Sequence, residues 1–391
     1  MLRMYLRPTD VREANIRRVF QALLARPSCS RAKLARLTGL SGVTAGRVVD
    51  AMVNLDLVEG IDPAAIELTA PAMGRPPRLI GLATRPRFLG VEIGVRQTTF
   101  AALPLANPGP SMASRTIPTP KSAGHFVASL KRAQASLGMA DAEAIVVSVP
   151  GVVDQRAAAV LVSPNLHWTE GEELLSGIAN VERAPVIPVQ EVQALALGHQ
   201  AAGETIEHFL LLDVAEGVGG AVVMQSRLLA GDVALSGELG HTPVMDNRRR
   251  CGCGAVGCLE TLASRDGLLR SYRETYRRRI DWPGLVNHVG RAGIEPWLDQ
   301  AIDAVGGVVA GAINLLGIGH VIVTGDFPSL HPEMIPRLEA SVQEHSLLGR
   351  FGRVSCTAAP RRRWLGLVVA ASDLVLGQGT IDRRSLLPLA I

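Results

Sequence analysis

Four side chains in one short segment have the types and the spacing of a metal site. His241 is followed after nine residues by Cys251, then by Cys253 and, after four more residues, by Cys258. Three thiolates and one imidazole complete a tetrahedral shell around zinc and leave no position for water. We therefore predict one structural Zn²⁺ per chain. Three unrelated thiols beside a turn are the alternative. Five cysteines are too few for a disulfide scaffold, and the clustering of three of them indicates metal binding in a reducing compartment.

The N-terminal part of the chain is basic, and the rest is not. Residues 1–87 contain 14 Lys and Arg against 7 Asp and Glu, whereas the remaining residues contain 26 against 29. A basic module attached to a larger neutral body predicts nucleic acid as a partner of the module. A solvated, arginine-rich surface is the alternative.

Helical periodicity predicts three helices in the basic part, at roughly 11–25, around Leu34 and at about 42–55. Gly39 lies in the turn between the second and the third helix. This spacing is typical of a helix-turn-helix unit, whose second helix enters the major groove of DNA. The side chains expected to contact bases are Ser41, Thr44 and Arg47. A three-helix module that binds another protein is the alternative.

Two short β segments follow and flank a basic, proline-containing loop. The loop reads GRPPRL at 74–79, and a loop of this kind between two strands predicts a wing. Arg75 and Arg78 would contact phosphates or the minor groove. We accordingly predict a winged helix-turn-helix DNA-binding domain over residues 1–82.

The body of the chain alternates apolar strands with helical segments. The apolar runs are FLGVEIG (88–94), AIVVSVPG (144–151), APVIPVQ (184–190), FLLLDVAEGVGGAVVM (209–224) and HVIVTGD (320–326). The predicted helices lie at about 124–137, 191–202, 258–278 and 297–316. Strands separated by helices of this length predict an α/β architecture with mixed sheets.

A membrane location is not expected. The only long apolar stretch, Ala304 to Gly319, is rich in glycine and contains Asn314, which favours a buried helix over a membrane span. The first residues, MLRMYLRPTDVRE, contain no apolar signal-peptide core. The sequence therefore predicts a soluble, cytoplasmic protein.

Several segments resemble one known family along nearly the whole chain. The segments are SRAKLARLTGLSGVTAGRVVDAMVNLDLVE, GRPPRLIGL, GELGHTPV and CGCGAVGCLE. They resemble the ROK family of repressors, open reading frames and sugar kinases. The resemblance implies an actin-like fold of two lobes with a sugar cleft between them. We expect the lobes at 83–200, completed by a C-terminal helix at about 375–391, and at 201–374, which contains the zinc site.

The resemblance also implies which side chains hold a sugar. The predicted sugar-binding residues are Asn165, Gln190, Glu191, Glu238, His241 and Glu260. Sugar hydroxyls both donate and accept hydrogen bonds, and carboxylates, amides and an imidazole together supply the matching acceptors and donors. The alternative is that Asn165 caps a turn and Glu238 is an ordinary surface residue.

The phosphate-binding positions depart from the family's kinases. Glu92-Ile-Gly-Val-Arg96 stands where the kinases have Asp-x-Gly-Gly-Thr, and Ala215-Glu-Gly217 replaces Gly-Thr-Gly. Thr324-Gly-Asp326 replaces a triple glycine, and Gln190-Glu191 replaces the catalytic Asn-Asp pair. Phosphoryl transfer needs glycine-rich turns around the phosphates and a base for the sugar hydroxyl. We therefore expect no enzyme activity.

Together these features predict a transcriptional regulator, specifically a repressor. It would bind a double-stranded DNA operator as a homodimer or a dimer of dimers and respond to a small sugar effector. A sugar kinase with a fused DNA-binding domain and an effector-independent regulator with a vestigial pocket are the alternatives. Cys29 and Cys356 are expected only to pack in the interior.

Overall fold

The computed structural model describes residues 8–61, 78–106, 108–109, 111–154, 157–203, 206–229 and 234–376. Within these ranges the chain forms a small N-terminal unit and two lobes, and each lobe is organised around a five-stranded sheet. In the part of the chain so described, none of the helices combines the length and the apolar character that a membrane span requires.

Three helices and a three-stranded antiparallel sheet make up the N-terminal unit. The helices are α1 (Pro8–Leu24), α2 (Arg31–Thr38) and α3 (Gly42–Asn54), and the strands are β1 (Cys29–Ser30), β2 (Val58–Ile61) and β3 (Leu79–Leu82). Ser30 accepts a hydrogen bond from the Lys33 N–H and begins α2, while Gly39, with φ of +68°, ends it. β2 pairs with β3, and the predicted wing loop that joins them lies outside the described residues.

The first lobe follows directly. Its strands are β4 (Pro86–Ile93), β5 (Gln97–Pro104), β6 (Ser114–Pro118), β7 (Ala144–Val149) and β10 (Val186–Gln190), with a separate hairpin of β8 (Val152–Asp154) and β9 (Ala159–Val162). Its helices are α4 (Ala123–Leu137), α5 (Glu173–Val181) and α6 (Glu191–Ala201). The strand order is β10-β7-β4-β5-β6, with the first three strands parallel.

The second lobe repeats this topology. Its strands are β11 (Phe209–Val214), β12 (Val218–Met224), β13 (Arg227–Leu228), β14 (His320–Gly325) and β15 (Ser355–Ala358). Its helices are α7 (Glu260–Ala263), α8 (Arg265–Tyr276), α9 (Trp282–Ala292), α10 (Pro296–Leu316), α11 (Met334–His345) and α12 (Leu347–Phe351). In each sheet two hairpins lie on one side of the first strand and two parallel strands lie on the other. Ligands of such sheets bind outside the carboxyl ends of the strands.

Two predicted helices differ from the observed ones. The helix expected at 258–278 is divided at Ser264, whose extended backbone ends α7 and whose side chain accepts a hydrogen bond from the Gly267 N–H to begin α8. The helix expected at about 375–391 falls almost wholly outside the described residues. The helix that packs on the first sheet near the end of the described chain is α13 (Arg363–Leu376).

One hydrophobic core joins the N-terminal unit to the first lobe. Phe20 and Leu23 of α1 belong to the same buried cluster as Phe88 of β4 and Ala371 and Leu376 of α13. Burial of apolar surface contributes about 25 cal/mol per Å². The N-terminal unit therefore packs on the first lobe through a shared apolar core.

α6 and α13 lie side by side between the lobes. α13 packs along α6 and against the strands of the first sheet. α6 packs on the second sheet, where Leu195 and Ala196 join a buried cluster with Phe209. The first residues of the two helices, Glu191 and Arg363, both face the space between the lobes. Any change in the angle between the lobes therefore acts on this pair of helices.

A single carboxylate joins three helices of the second lobe, and its removal gives a testable change in stability. Glu295 accepts hydrogen bonds from Tyr276 at the end of α8, from His288 of α9 at 2.7 Å and from Trp297 of α10 at 3.1 Å. Burial raises the pKa of Glu295, but these hydrogen bonds outweigh burial and lower it. Its contribution to stability is therefore complete above the unfolded-state pKa and disappears as the pH falls through the folded-state value.

Glu295→Gln is expected to lower the free energy of unfolding by about 1–3 kcal/mol at neutral pH. The difference from the wild type should shrink below about pH 4, where the wild-type carboxylate also becomes protonated. Urea denaturation at several pH values measures both effects. Glu333→Gln, at an exposed carboxylate of the same lobe, is the control. A pH-independent difference would contradict the assignment to the charged form.

Candidate functional site

The four predicted metal ligands come together in the second lobe. Their ligand atoms all lie within 4.8 Å of one another. The Sγ atoms of Cys253 and Cys258 are 3.7 Å apart, and the Sγ of Cys251 is 3.6 Å from Nδ1 of His241. Two sulfur atoms bound at about 2.3 Å to one tetrahedral ion lie about 3.8 Å apart. The cluster therefore has the dimensions of a tetrahedral metal site and is consistent with zinc.

The buried thiols need a nearby positive charge before they can ionise and bind a metal. Burial raises the pKa of Cys251 and raises that of Cys258 to about 12. Burial acts in the same direction on Cys253, but hydrogen bonds from the Ala255 N–H and from neighbouring thiols outweigh it and lower the pKa. The two buried thiols ionise only beside a positive charge, which a bound metal ion supplies.

The loop that carries the cysteines is held by two polar side chains. Nδ2 of Asn247 donates to the carbonyl of Cys258 at 3.0 Å and to Oγ1 of Thr261 at 2.9 Å. The guanidinium of Arg249 donates to the carbonyl of Thr261 at 2.7 Å and forms an ion pair with Glu274 at 2.7 Å. The middle one of the three arginines before the cysteines therefore fixes the loop to α7 and α8.

A cleft with a volume of about 480 Å³ lies between the two lobes. Its walls begin where β4, β10 and β11 end, at the carboxyl edges of both sheets. The predicted sugar-binding residues all line this cleft, namely Asn165, Gln190, Glu191, Glu238, His241 and Glu260. The volume is within the usual range of small-molecule sites, which is roughly 300–1,000 Å³.

One end of the cleft is adjacent to the metal cluster. Nε2 of Gln190 donates to Oε1 of Glu238 at 2.8 Å, and Nε2 of His241 lies 3.7 Å from Oε2 of Glu238. The Val218 N–H donates to Oε2 of Glu260 at 3.0 Å. Because Nδ1 of His241 faces the sulfur atoms, a metal on Nδ1 would leave the proton on Nε2, directed toward the cleft.

The carboxyl groups at this end have no arginine partner among the described residues. Burial raises the pKa of Glu238, although His241 and a hydrogen bond oppose it. Burial likewise raises the pKa of Glu260. With the amide of Asn165, these groups place donors and acceptors around one small volume, which suits a ligand with several hydroxyl groups.

The opposite end of the cleft contains ion pairs instead. Nε of Arg96 lies 3.0 Å from Oε1 of Glu216 and thereby connects the first lobe to the second. Arg265 lies 3.6 Å from the same carboxylate and 2.6 Å from Asp326. The three loops that correspond to the kinase phosphate loops are thus crosslinked through their side chains. The charge of Glu216 is thus balanced by two arginines.

The carboxylate at the position of the kinase base is also paired. Arg363, with 7% of its surface exposed, donates to Glu191 and to Glu92. Arg361 donates through Nε to Asp213 at 2.7 Å and through Nη2 to the second oxygen of that carboxylate. Burial opposes the charge of both arginines, but their carboxylate partners outweigh it and raise each guanidinium pKa. Glu191 is therefore not a free base.

Residues 88–363 match the ROK family, a span that contains the cleft, the metal cluster and the three modified loops. The chain belongs to the ROK family. The resemblance predicted from the sequence is confirmed, and the two lobes have the actin-like α/β fold with mixed sheets of ROK sugar kinases.

Both regulators and kinases are among the relatives of this ROK protein. The xylose repressor of Bacillus subtilis (strain 168) is 24% identical over 358 residues, which cover 87% of this chain and 90% of that protein. A xylose repressor from Caldicellulosiruptor bescii is 26% identical over 222 residues, but the match spans only 55% of its length and 52% of this chain. The glucokinase of Thermotoga maritima is 27% identical over 308 residues, covering 73% of this chain and 96% of the kinase.

A solved structure shares the fold along almost the whole chain. It is a ROK family transcriptional regulator described as a homologue of the E. coli MLC protein. It superposes with a TM-score of 0.71 at 19% identity and covers 94% of this chain and 97% of its own. The similarity therefore includes the N-terminal unit as well as the two ROK lobes.

The predicted base-contacting residues lie on α3. Ser41 directly precedes the helix, and its Oγ accepts a hydrogen bond from the Thr44 N–H at 3.1 Å and caps it. The Thr44 hydroxyl lies 2.9 Å from the same Oγ. Arg47 is exposed. Val43 has 67% of its surface exposed and lies one helical turn before Arg47, on the same face. The sequence analysis did not identify Val43, whose apolar side chain suits a thymine methyl group.

Of the two predicted wing arginines, Arg78 is exposed, whereas Arg75 lies outside the described residues. The end of α3 is fastened to the first lobe, because Nη1 of Arg87 donates to the carbonyls of Leu55 and Asp56 at 3.1 and 3.0 Å. The N-terminal unit thus has both apolar and polar connections to the cleft-forming body.

Sequence reasoning missed the arginines of the cleft. Arg361 and Arg363 belong to a run of three arginines that directly precedes the apolar segment of α13. A charge run before an apolar helix was the available signal, but its carboxylate partners are up to 271 residues away in sequence. Only the folded chain brings them together.

Proposed function

We propose that this ROK protein is a transcriptional repressor that binds an operator through its N-terminal unit and a sugar effector in its cleft, and that it does not transfer phosphate. The observation that carries this proposal is the difference between the two ends of the cleft. The carboxyl groups at the end beside the metal cluster have no arginine partner among the described residues, whereas the end with the phosphate loops is occupied by ion pairs.

The loss of phosphoryl transfer follows from those ion pairs. A kinase needs backbone amides around the ATP phosphates and a carboxylate base beside the sugar. Here Glu216 is paired with Arg96 and Arg265, and Glu191 is paired with Arg363. Nucleotide binding would have to break several of these pairs and leave their charges uncompensated, which is costly in a partly buried site.

A sugar effector is supported by the side chains at the other end. Asn165, Glu238, His241 and Glu260 would each bond hydroxyl groups, and Gln190 already orients Glu238. The xylose repressors and the glucokinase among the relatives carry sugar names, which makes D-xylose and D-glucose the first ligands to test.

The metal ion has a structural role in this proposal. His241, Cys251, Cys253 and Cys258 would hold one Zn²⁺, and the complete ligand set leaves no position for water or substrate. When bound, the ion supplies the positive charge that keeps the thiols ionised. The chain itself then holds His241 with its Nε2 proton toward the cleft and keeps the loop before Glu260 in place.

DNA binding is assigned to α3 and its surroundings. Arg47 and Val43 would reach base edges, while Ser41, which caps the helix, and Thr44 would contact the first bases or a nearby phosphate. Arg75 and Arg78 would contact the DNA backbone or minor groove. A homodimer or a dimer of dimers, acting in the cytoplasm, would place two such units on an operator with two half-sites.

Thermal unfolding with and without Mg-ATP tests the sensor proposal directly. The zinc-loaded protein is expected to be stabilised by one sugar from a panel of D-xylose, D-glucose, other hexoses and N-acetylhexosamines. A ligand at 100 times its dissociation constant adds about 2.7 kcal/mol to the free energy of unfolding. Mg-ATP is expected to add nothing, alone or with the sugar, and ADP release should stay at the level of the sugar-free control.

Other outcomes identify the alternatives. ADP release that depends on a sugar would show that the protein is a sugar kinase with a fused N-terminal unit. No stabilisation by any sugar, together with specific operator binding, would show an effector-independent regulator with a vestigial pocket. Either result would contradict the proposed function.

A further inference from the structure

The segment that links β15 to α13 is ion-paired to both lobes. It leaves the second sheet after Ala358 and enters the first lobe at α13. Within it, Arg361 forms two hydrogen bonds to Asp213 of the second lobe, while Arg363 is paired with Glu92 and Glu191 of the first. If the distance between the lobes changes, the segment from Arg361 to Arg363 must therefore change its conformation or lose an ion pair.

These ion pairs are not loose surface contacts. Arg363 and Asp213 each have 7% of their surface exposed. Removing one member of a buried pair leaves an uncompensated charge and is strongly unfavourable. The pairs therefore hold the segment in one arrangement relative to both lobes until a ligand or a conformational change replaces them.

Two polar atoms beside these pairs lack a partner within the described residues. They are Oε1 of Gln190, which can only accept a hydrogen bond, and Nε of Arg363, which can only donate one. Both side chains are more than nine-tenths buried and line the cleft. Oε1 of Gln190 would accept from a ligand hydroxyl and Nε of Arg363 would donate to a ligand oxygen. Each atom is so deeply buried that a ligand reaches it only when the side chains around it move, so occupancy of this end of the cleft would act on Arg363.

α6 and α13 are interlocked behind this point. A Cβ on Gly366 of α13 would overlap the carbonyl oxygen of Ala194 in α6, and a Cβ on Gly198 of α6 would overlap the carbonyl oxygen of Arg362. The two backbones are therefore in contact at two places. At these two contacts no side chain separates the helices, so movement of the first turn of α13 is transmitted to α6.

The far ends of both helices contact the N-terminal unit. A Cβ on Gly203, just after α6, would lie 2.9 Å from the Cβ of Ala25, just after α1. Ala371 and Leu376 of α13 share a buried cluster with Phe20 of α1. Each helix of the pair thus begins at the cleft and ends against the part of the chain that is proposed to bind DNA.

We infer that the Arg361–Arg363 segment couples the cleft to the N-terminal unit and that Arg363 is the positioning residue of this coupling. This inference rests on the function proposed above. A sugar that closes the cleft changes the separation of Asp213 from Glu92 and Glu191. The guanidinium of Arg363 follows its partners and the ligand hydroxyl, α13 shifts with α6, and the position of α1 changes relative to the body.

The test measures the coupling itself. The probes are D-xylose and D-glucose, each at a saturating concentration for the variant in use, and the highest-affinity DNA duplex selected from a random pool with the wild-type protein. The coupling ratio is the dissociation constant of the duplex with sugar divided by that without sugar. It is expected to be about 5 to 150 for the wild type and to fall within about twofold of 1 for Arg363→Met.

Three further variants separate coupling from general damage. Arg337→Met removes an equally well-formed pair with Asp299, at 2.7 and 2.8 Å, in the second lobe outside the cleft lining, and should keep the wild-type ratio. Arg363→Lys retains the charge and should restore part of the ratio. If Arg363→Met does not fold, Glu92→Gln, which keeps the size of its side chain and weakens only one pair, should give an intermediate ratio.

Amide hydrogen exchange of α1 is a second test of the coupling, and it needs neither sugar nor DNA. Its amides should exchange about tenfold faster in Arg363→Met than in the wild type or in Arg337→Met, because the connection between helices and body is looser. A wild-type coupling ratio in Arg363→Met, or unchanged exchange of α1, would overturn the inference while leaving the proposed function intact. A wild-type protein that binds no specific DNA, or whose binding neither sugar changes, would contradict the proposed function, and the inference would fall with it.

Discussion

Cys253→Ser should purify with almost no zinc and with a much less stable second lobe. Serine keeps the size of the side chain but removes the thiolate, and three remaining ligands bind the ion far more weakly. Structural zinc contributes roughly 10–16 kcal/mol to the folding of small zinc peptides. In this larger lobe we expect a loss of at least about 3 kcal/mol in the free energy of unfolding. Metal analysis and denaturant unfolding measure the two effects.

The choice of control matters for this variant, because any buried cysteine contributes to packing. Cys356 lies in the same lobe with 7% of its surface exposed, and burial raises its pKa to about 12. Cys356→Ala therefore removes an inert thiol and should keep a full equivalent of zinc. Equal zinc content and equal stability in Cys253→Ser and the wild type would show that the cluster is not a structural site.

Loss of the metal cluster should also weaken sugar binding in the cleft. His241 is a predicted ligand through Nδ1 and a predicted sugar contact through Nε2, and the loop of the cysteines leads directly into Glu260. A zinc-free protein is thus expected to lose sugar binding together with stability. Chelation of zinc from the wild type by a strong chelator should reproduce this result.

Arg47→Ala should lower the affinity for the selected operator by about 1–3 kcal/mol, which is roughly 5- to 150-fold. Arg47 is the basic side chain of α3; it is exposed and lies one turn after the exposed Val43. Arginine forms paired hydrogen bonds to guanine in the major groove, and alanine forms none. Electrophoretic mobility shift or fluorescence anisotropy measures the affinity for the operator and for a scrambled duplex.

The specificity of the effect distinguishes base contact from simple charge. Binding of Arg47→Ala to the scrambled duplex should change little, and sugar binding should remain at the wild-type level, because α3 does not line the cleft. Arg132→Ala removes one exposed charge from α4 of the body and should leave operator binding unchanged. An equal loss of DNA and sugar binding in Arg47→Ala would contradict the division of roles between the N-terminal unit and the body.

The ion pairs give a physical basis for the proposal that this kinase fold works without kinase chemistry. Glu216 is paired with both Arg96 and Arg265, and Glu191 shares Arg363 with Glu92. The pair of Arg96 with Glu216 joins the two lobes at this end of the cleft. The sugar end, where Glu238 and Glu260 keep raised pKa values through burial, is left free for a ligand.

The sequence by itself determined the local features of this protein. Helical periodicity and Gly39 predicted α2, the turn after it and α3, because periodicity and a positive-φ glycine act within a few residues. The spacing from His241 to Cys258 predicted the metal cluster for the same reason, since all four ligands lie in one segment. The sequence also predicted the family, because the motifs of the family are contiguous segments of the chain.

Only the tertiary structure decided what fills the cleft and what connects it to the N-terminal unit. Arg363 meets Glu92 across 271 residues of sequence and Glu191 across 172, and no periodicity or spacing records such a pairing. The same holds for Gly203 against Ala25. Side chains that compensate buried charges are paired by proximity in space, so the sequence showed only the missing glycines of the phosphate loops and not the ion pairs found there.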